Sequence, residues 1–134
     1  MGLSGSAGLR DGLKERVRAQ LRAAARRGVP VTYRDLALAL DLPPPNTIHQ
    51  LTELLEALMA EDAAAGRPFV AALVISKARR GLPAPGFFDC ARRLGRFNGA
   101  GDALEAAAYH ARELAVAMAY WREAELDVED LDGR

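Results

Sequence analysis

Few side chains in this chain of 134 residues could serve as a catalytic nucleophile or as its base. Cys90 is the only cysteine, and His49 and His110 are the only histidines. A catalytic nucleophile needs an adjacent base, and a lone cysteine more commonly packs as a small apolar side chain. We therefore predict no catalytic residue. A small cysteine-dependent enzyme that uses Cys90 is the weakest of the functional alternatives.

Neighbouring carboxylates lack the partners that phosphate or metal chemistry requires. Glu53 and Glu56 form one such pair, and Glu61 and Asp62 form another. The chain has no glycine-rich phosphate loop and no Cys/His cluster with metal-ligand spacing. A solvated helix face accounts for these carboxylates, and we predict no cofactor and no metal site.

Clustered cations indicate a different chemistry, which is contact with nucleic-acid phosphates. Lys77, Arg79 and Arg80 lie in a turn after an apolar run, and such a turn suits a phosphate or minor-groove contact. A second set of cations recurs at every fourth residue near the start of the chain, at Arg10, Lys14, Arg18, Arg22 and Arg26. This basic ridge either tracks phosphates or is a solubilising face.

The first element that must position these cations is an amphipathic helix over residues 9–27. Its apolar residues recur every fourth position, and Gly28 and Pro30 follow its end. Thr32 and Asp35 form a capping pair for a second, short helix, which the three prolines at 43–45 stop. We predict a third helix that Asn46 caps and that Gly66 ends.

The third helix occupies the recognition position of a helix-turn-helix. Base readout uses Arg or Lys for guanine and Asn or Gln for adenine, and phosphates repel carboxylates such as Glu53 and Glu56. Near the helix start, four residues are suited to base edges: Asn46, Thr47, His49 and Gln50. They either contact bases, as the first turn of a recognition helix does, or belong to an ordinary capped surface helix.

The segment from Phe69 to Ile75 is short, β-branched and aromatic, so it predicts a strand. Pro83 and Pro85 restrict the return segment to a sheet edge, which predicts a small hairpin wing. Two further helices follow, one around Phe88 and an alanine-rich one from about Asp102.

A resemblance enters at Val31-Thr32-Tyr33-Arg34-Asp35-Leu36-Ala37. This stretch is similar to the V-T-Y-G-E-L-A segment that opens the DNA-binding part of the alkyltransferase and alkyltransferase-like family. The resemblance implies a winged-helix-like core and places Thr32 and Tyr33 close to a nucleotide. The reactive P-C-H-R motif of that family is absent, so alkyl transfer is not carried over.

The net charge is zero, but the charges are sorted along the chain. Residues 1–40, 41–66, 67–100 and 101–134 carry net charges of +5, −5, +6 and −6. Such sorting suggests distinct basic and acidic faces, or faces that neutralise one another. With one cysteine, no signal-peptide pattern and no apolar run that spans a bilayer, we expect a cytoplasmic protein without a membrane partner.

These observations predict one mainly α domain with a winged helix-turn-helix core, a small β-hairpin and flanking N- and C-terminal helices. The boundaries are a flexible N-terminus at 1–8, the domain at 9–122 and an acidic tail at 123–134. The predicted function is non-enzymatic binding of double-stranded DNA, with a role as a transcriptional regulator. The alternative is a module that binds a protein partner or a second copy of the chain.

Overall fold

A computed structural model describes the backbone of residues 2–99 and 102–133 and the side chains of residues 8, 10–99 and 102–123. Five α-helices form most of this part of the chain, which confirms the predicted mainly α class. They are α1 (Gly2–Arg27), α2 (Tyr33–Leu40), α3 (Thr47–Ala65), α4 (Pro85–Arg93) and α5 (Ala103–Gly133).

The first helix packs through the apolar face that its spacing predicts. Val17 and Leu21 are fully buried, and the helix ends at Arg27 because Gly28 takes a left-handed conformation with a φ of 76°. The helix begins at Gly2, within the segment 1–8 for which the sequence predicts a flexible N-terminus.

The short helix α2 begins as its capping residue predicts. The Thr32 Oγ1 atom accepts a hydrogen bond from the backbone N–H of Asp35 at 3.0 Å. The residues Leu36, Ala37 and Leu40 form its buried face.

The third helix ends at Gly66 as predicted. Asn46 stands at its N-cap position but makes no capping hydrogen bond through its side chain, because its backbone is in the left-handed region with a φ of 63°. The predicted Asn46 cap is therefore wrong.

The predicted strand from Phe69 to Ile75 is wrong over most of its length. Val70–Leu73 forms a buried 3₁₀ helix, and within this segment only Val74–Ile75 forms a strand. Side chains take the place of a partner strand. Asp62 Oδ2 accepts from the N–H of Val70 at 3.0 Å, and Glu113 Oε2 accepts from the N–H of Phe69 at 2.8 Å. These hydrogen bonds satisfy buried backbone N–H groups that would otherwise need the hydrogen bonds of a neighbouring strand.

The predicted hairpin is also different from the observed sheet. Strand β1 (Val31–Thr32) pairs in parallel with β2 (Val74–Ile75), in the register Val31 with Val74. The antiparallel part shrinks to one bridge between Ser76 and Leu82. Pro83 follows Leu82 and has no N–H to extend the ladder.

The 3₁₀ helix lies at the centre of the core, where α1, α3 and α5 contact it. The C-terminal acidic segment continues α5 in backbone, and the side chains of its residues 124–133 lie outside the described part. Of the helices described, none combines the length and apolar character needed to cross a bilayer.

Candidate nucleic-acid interface

The two short strands, the start of α2 and the turn after β2 enclose an open cleft of about 520 Å³. We call it the strand cleft. It brings together four of the residues that the sequence assigns to DNA contact, namely Thr32, Tyr33, Lys77 and Arg79. The whole lining is Thr32, Tyr33, Arg34, Asp35, Ile48, Ile75, Ser76, Lys77, Ala78, Arg79 and Ala84.

Tyr33 fixes one wall of the strand cleft. Its hydroxyl oxygen accepts a hydrogen bond from the backbone N–H of Ala84 at 2.9 Å, which ties the segment before α4 to the start of α2. Burial raises the pKa of Tyr33 above its ordinary value, and the Ala84 hydrogen bond and the charge of Arg79 partly oppose that rise. The hydroxyl therefore stays protonated at neutral pH.

The basic turn comprises residues 77–81 and carries the exposed cations Lys77, Arg79 and Arg80. The N–H of Gly81 donates to Ser76 O at 3.0 Å and closes it, and both Arg80 and Gly81 have a positive φ. Arg79 donates from Nε to Pro83 O at 2.8 Å, which orients its guanidinium. Within the described residues, Lys77 and Arg80 have no carboxylate within ion-pair distance.

The start of α3 lies beside the strand cleft through Ile48, which is 45% exposed. Thr47 is half-buried, and His49 is exposed beside Glu53, with 3.3 Å between His49 Nε2 and Glu53 Oε2. Asn46 is exposed and its amide is unbonded within the described residues.

Gln50 has a structural task that the sequence does not reveal. Its Nε2 atom donates to Pro43 O at 2.8 Å and to Pro45 O at 2.9 Å, so the side chain clamps the proline loop between α2 and α3. An amide that reads adenine must donate from the same nitrogen. Gln50 cannot make both sets of contacts at once.

Two members of the basic ridge on α1 are neutralised inside the protein. Lys14 Nζ lies 2.7 Å from Glu61 Oε2, and Arg18 Nη1 lies 2.8 Å from Asp62 Oδ1, with Arg18 only 4% exposed. Arg22 is half-buried with its guanidinium 5.9 Å from the ring centroid of Trp121. Arg10 and Arg26 are exposed. The five cations therefore do not form one free stripe.

The carboxylates of α3 are likewise engaged. Glu61 accepts from both Lys14 and Arg18, and the hydrogen bond from Lys14 is the main reason that the pKa of Glu61 lies below its ordinary value. Glu56 Oε1 lies 3.4 Å from Arg93 Nη2 on α4. Charges that the sequence separates into blocks thus meet across helix contacts.

Sequence reasoning missed Arg34 and Ser76 as members of the strand cleft. Arg34 is exposed and has no ion-pair partner among the described residues, and the Ser76 hydroxyl makes no hydrogen bond there. The sequence does contain a sign of the extra cation, because Arg34 stands where the V-T-Y-G-E-L-A stretch that this segment resembles has a glycine.

Cys90 and His110 do not line the strand cleft. Cys90 is buried on α4, and that burial raises the pKa of its thiol, with the charge of Glu56 acting in the same direction. His110 is buried on α5 with Nε2 2.9 Å from Ala72 O. Among the residues whose side chains are described, no cluster of three His, Cys, Asp or Glu groups is placed to hold a metal ion.

The fold and the strand cleft define a mainly helical protein with a cationic surface beside a small parallel strand pair. Comparison of the chain with protein-family models, with curated proteins and with solved structures finds no match.

Proposed function

We propose that this protein binds double-stranded DNA without catalysing a reaction, and that it acts as a transcriptional regulator. The observation that carries the proposal is the set of cations around the strand cleft. Arg34, Lys77 and Arg80 lack carboxylate partners among the described residues, whereas Lys14, Arg18 and Arg93 are paired. Unneutralised cations on one surface supply the electrostatic part of DNA affinity.

The proposed architecture is a winged helix-turn-helix with a reduced wing. The helices α2 and α3 form the pair, and the basic turn takes the place of the wing. The element order supports this interpretation, since a short strand precedes α2 and another follows α3 and pairs with the first. In this arrangement the basic turn contacts phosphates and positions the start of α3 against a groove.

The pairing of Glu56 and Glu61 reduces the negative charge that α3 would present to DNA, while Glu53 stays exposed beside His49. Glu56 and Glu61 would repel phosphates if they were free, but each lies next to a cation of another helix. The residues left for base contact are Asn46, Thr47 and His49, all at or before the first turn of α3. Gln50 and Arg18 are excluded because their polar groups are bonded inside the protein.

The absence of a catalytic role is part of the proposal. The Cys90 thiol has a raised pKa, and its charged neighbours are Glu56 and Arg93 rather than a histidine. A thiolate is the reactive form of cysteine, so this environment disfavours nucleophilic chemistry at neutral pH.

The experiment is fluorescence anisotropy of labelled random-sequence duplex DNA with the purified protein at low salt. We expect micromolar binding, typical of sequence-independent contact, and its loss when Lys77 and Arg80 are both replaced by glutamate. A matched control replaces Arg112 and Arg122, which are exposed cations of α5, by glutamate. Absence of binding by the wild type, or equal losses in the two double variants, contradicts the proposal and favours the protein-interaction alternative.

A further inference from the structure

We propose that the strand cleft binds a small organic anion with an apolar body, and that this ligand competes with DNA. The binding half of the proposal is independent of the proposed function, and only the competition rests on it. The strand cleft is about 520 Å³ in volume, which lies within the usual range of small-molecule sites, about 300–1,000 Å³.

Part of the lining is apolar, and phosphate groups cannot cover it favourably. Ile48, Ile75, Ala78 and Ala84 all line the strand cleft, and Ile48 stays 45% exposed. A phosphate backbone that contacts only the cations would leave this apolar surface in water. An apolar ligand body would remove it from water, at a gain of about 25 cal/mol for each Å² covered.

The charged part of the lining favours a ligand with a negative charge. Arg34 and Lys77 have no carboxylate partner within the described residues. Arg79 donates to Pro83 O from Nε, and its two terminal nitrogens make no hydrogen bond within the described residues. Asp35 is the single carboxylate in the lining, against three cations. The Ser76 hydroxyl supplies a neutral donor that the described part of the protein does not use.

The wall formed by Tyr33 is held in place before any ligand arrives. The bond from Ala84 N–H to the Tyr33 hydroxyl connects two sides of the strand cleft, and the capping bond at Thr32 fixes a third residue of the lining. A site whose walls are already held loses less conformational entropy on binding.

Competition with DNA follows from shared cations. Lys77 and Arg79 belong both to the strand cleft and to the basic turn. Arg80 belongs to the basic turn but does not line the strand cleft. A bound anion therefore neutralises two of the three turn cations and leaves the third.

The test uses phenyl phosphate as the probe, because it joins an aromatic body to a phosphate group. Binding is followed by the amide chemical shifts of the isotopically labelled full chain, with inorganic phosphate and benzyl alcohol as half-probes. We expect saturable shifts for phenyl phosphate that centre on Thr32, Ser76 and Ala78, and at least tenfold weaker binding of either half-probe.

Matched variants separate the ligand site from DNA contact. Lys77→Ala is expected to lower the affinity for phenyl phosphate about tenfold, because one charge-assisted contact is lost. Ala78→Leu adds volume to the lining without removing a charge and is expected to weaken the probe similarly. Arg80→Ala should weaken DNA binding and leave the affinity for phenyl phosphate within about twofold, since Arg80 lies outside the strand cleft.

Each outcome decides one half of the proposal. Equal binding of phenyl phosphate and inorganic phosphate, or shifts spread over Arg10 and Arg112 as well, overturns the assignment of the site. Localised probe binding that leaves the DNA affinity unchanged at saturation overturns the competition. If phenyl phosphate binds as expected and no duplex binds at all, the site stands, and the proposed function and the competition both fail.

Discussion

At the scale of single residues, Asp62 is a buried carboxylate that joins several elements of the fold. It is fully buried and accepts hydrogen bonds from Arg18 Nη1 at 2.8 Å, from Arg67 Nε at 3.1 Å and from the backbone N–H of Val70 at 3.0 Å. The same two arginines lie 5.0 and 5.5 Å from the ring centroid of Trp121 on α5. One carboxylate thereby links α1, α3, the 3₁₀ helix and α5.

We expect Asp62→Ala to lower the free energy of unfolding by about 3–5 kcal/mol. The change removes the buried carboxylate that Arg18 and Arg67 share, leaves Arg18 with the more exposed Glu61 alone, and leaves the buried N–H of Val70 without an acceptor. Urea denaturation followed by circular dichroism measures the loss. Glu53→Gln, on the exposed side of the same helix, is the control and should change stability by less than about 0.5 kcal/mol. Similar values for the two variants would show that the Asp62 network is not a stabilising centre.

His110 gives the core a pH dependence with a defined sign. Burial lowers its pKa below the ordinary value of 6.5, and the bond to Ala72 O and the charge of Glu113 oppose the shift without cancelling it. Because a carbonyl oxygen can only accept, Nε2 of His110 carries the hydrogen. The folded state therefore takes up a proton less readily than the unfolded chain.

It follows that the free energy of unfolding falls as the pH drops through the window just below 6.5, by at most about 1.4 kcal/mol per pH unit for this group. His110→Gln keeps a donor for Ala72 O but cannot titrate, so it should flatten this part of the profile. Urea titrations at about pH 7.5 and about pH 5.5 compare the two proteins. An unchanged pH dependence in the variant would assign the effect to other groups.

At the scale of elements, helices were predictable and the strand was not. The fourfold spacing in α1, the Thr32 cap of α2 and the Gly66 end of α3 are local signals, and the structure follows them. The segment 69–75 has the composition of a strand. Its buried N–H groups are bonded instead to Asp62 of the preceding helix and to Glu113 of the distant helix α5. A short-range pattern carries no information about such partners.

The loop between α2 and α3 gives a prediction that separates a structural role from a reading role. Gln50→Ala removes two hydrogen bonds to proline carbonyls at an exposed position. We expect a loss of about 1 kcal/mol in the free energy of unfolding. We also expect no change in the order of preference among duplexes of different sequence, measured by competition anisotropy. A changed preference would return Gln50 to the base-contacting set.

At the scale of the whole molecule, the zero net charge conceals an ordered pairing. The acidic block 41–66 meets cations of the basic blocks on either side of it in sequence, through Lys14 and Arg18 on α1 and Arg93 on α4. The cations near the strand cleft remain without such partners in the described part.

The candidate site was predictable only in outline. Lys77 and Arg79 were identifiable from the local sequence, and Thr32 and Tyr33 from the resemblance. All four line the strand cleft. The pairing of Lys14 and Arg18 depends on tertiary contacts between α1 and α3. A sequence that shows five cations at fourfold spacing cannot reveal which of them the fold neutralises.

We propose that the basic turn, rather than the basic ridge on α1, carries the DNA contact. The most direct measurement is the slope of the logarithm of the DNA association constant against the logarithm of salt concentration. Two double variants are compared with the wild type, Lys77→Ala with Arg80→Ala on the turn and Arg10→Ala with Lys14→Ala on the ridge. We predict that the turn variant lowers the steepness of this slope by about 1.8, the value for two lost phosphate contacts, and that the ridge variant leaves it nearly unchanged. A slope that becomes shallower in the ridge variant and stays unchanged in the turn variant would assign the DNA contact to the ridge instead.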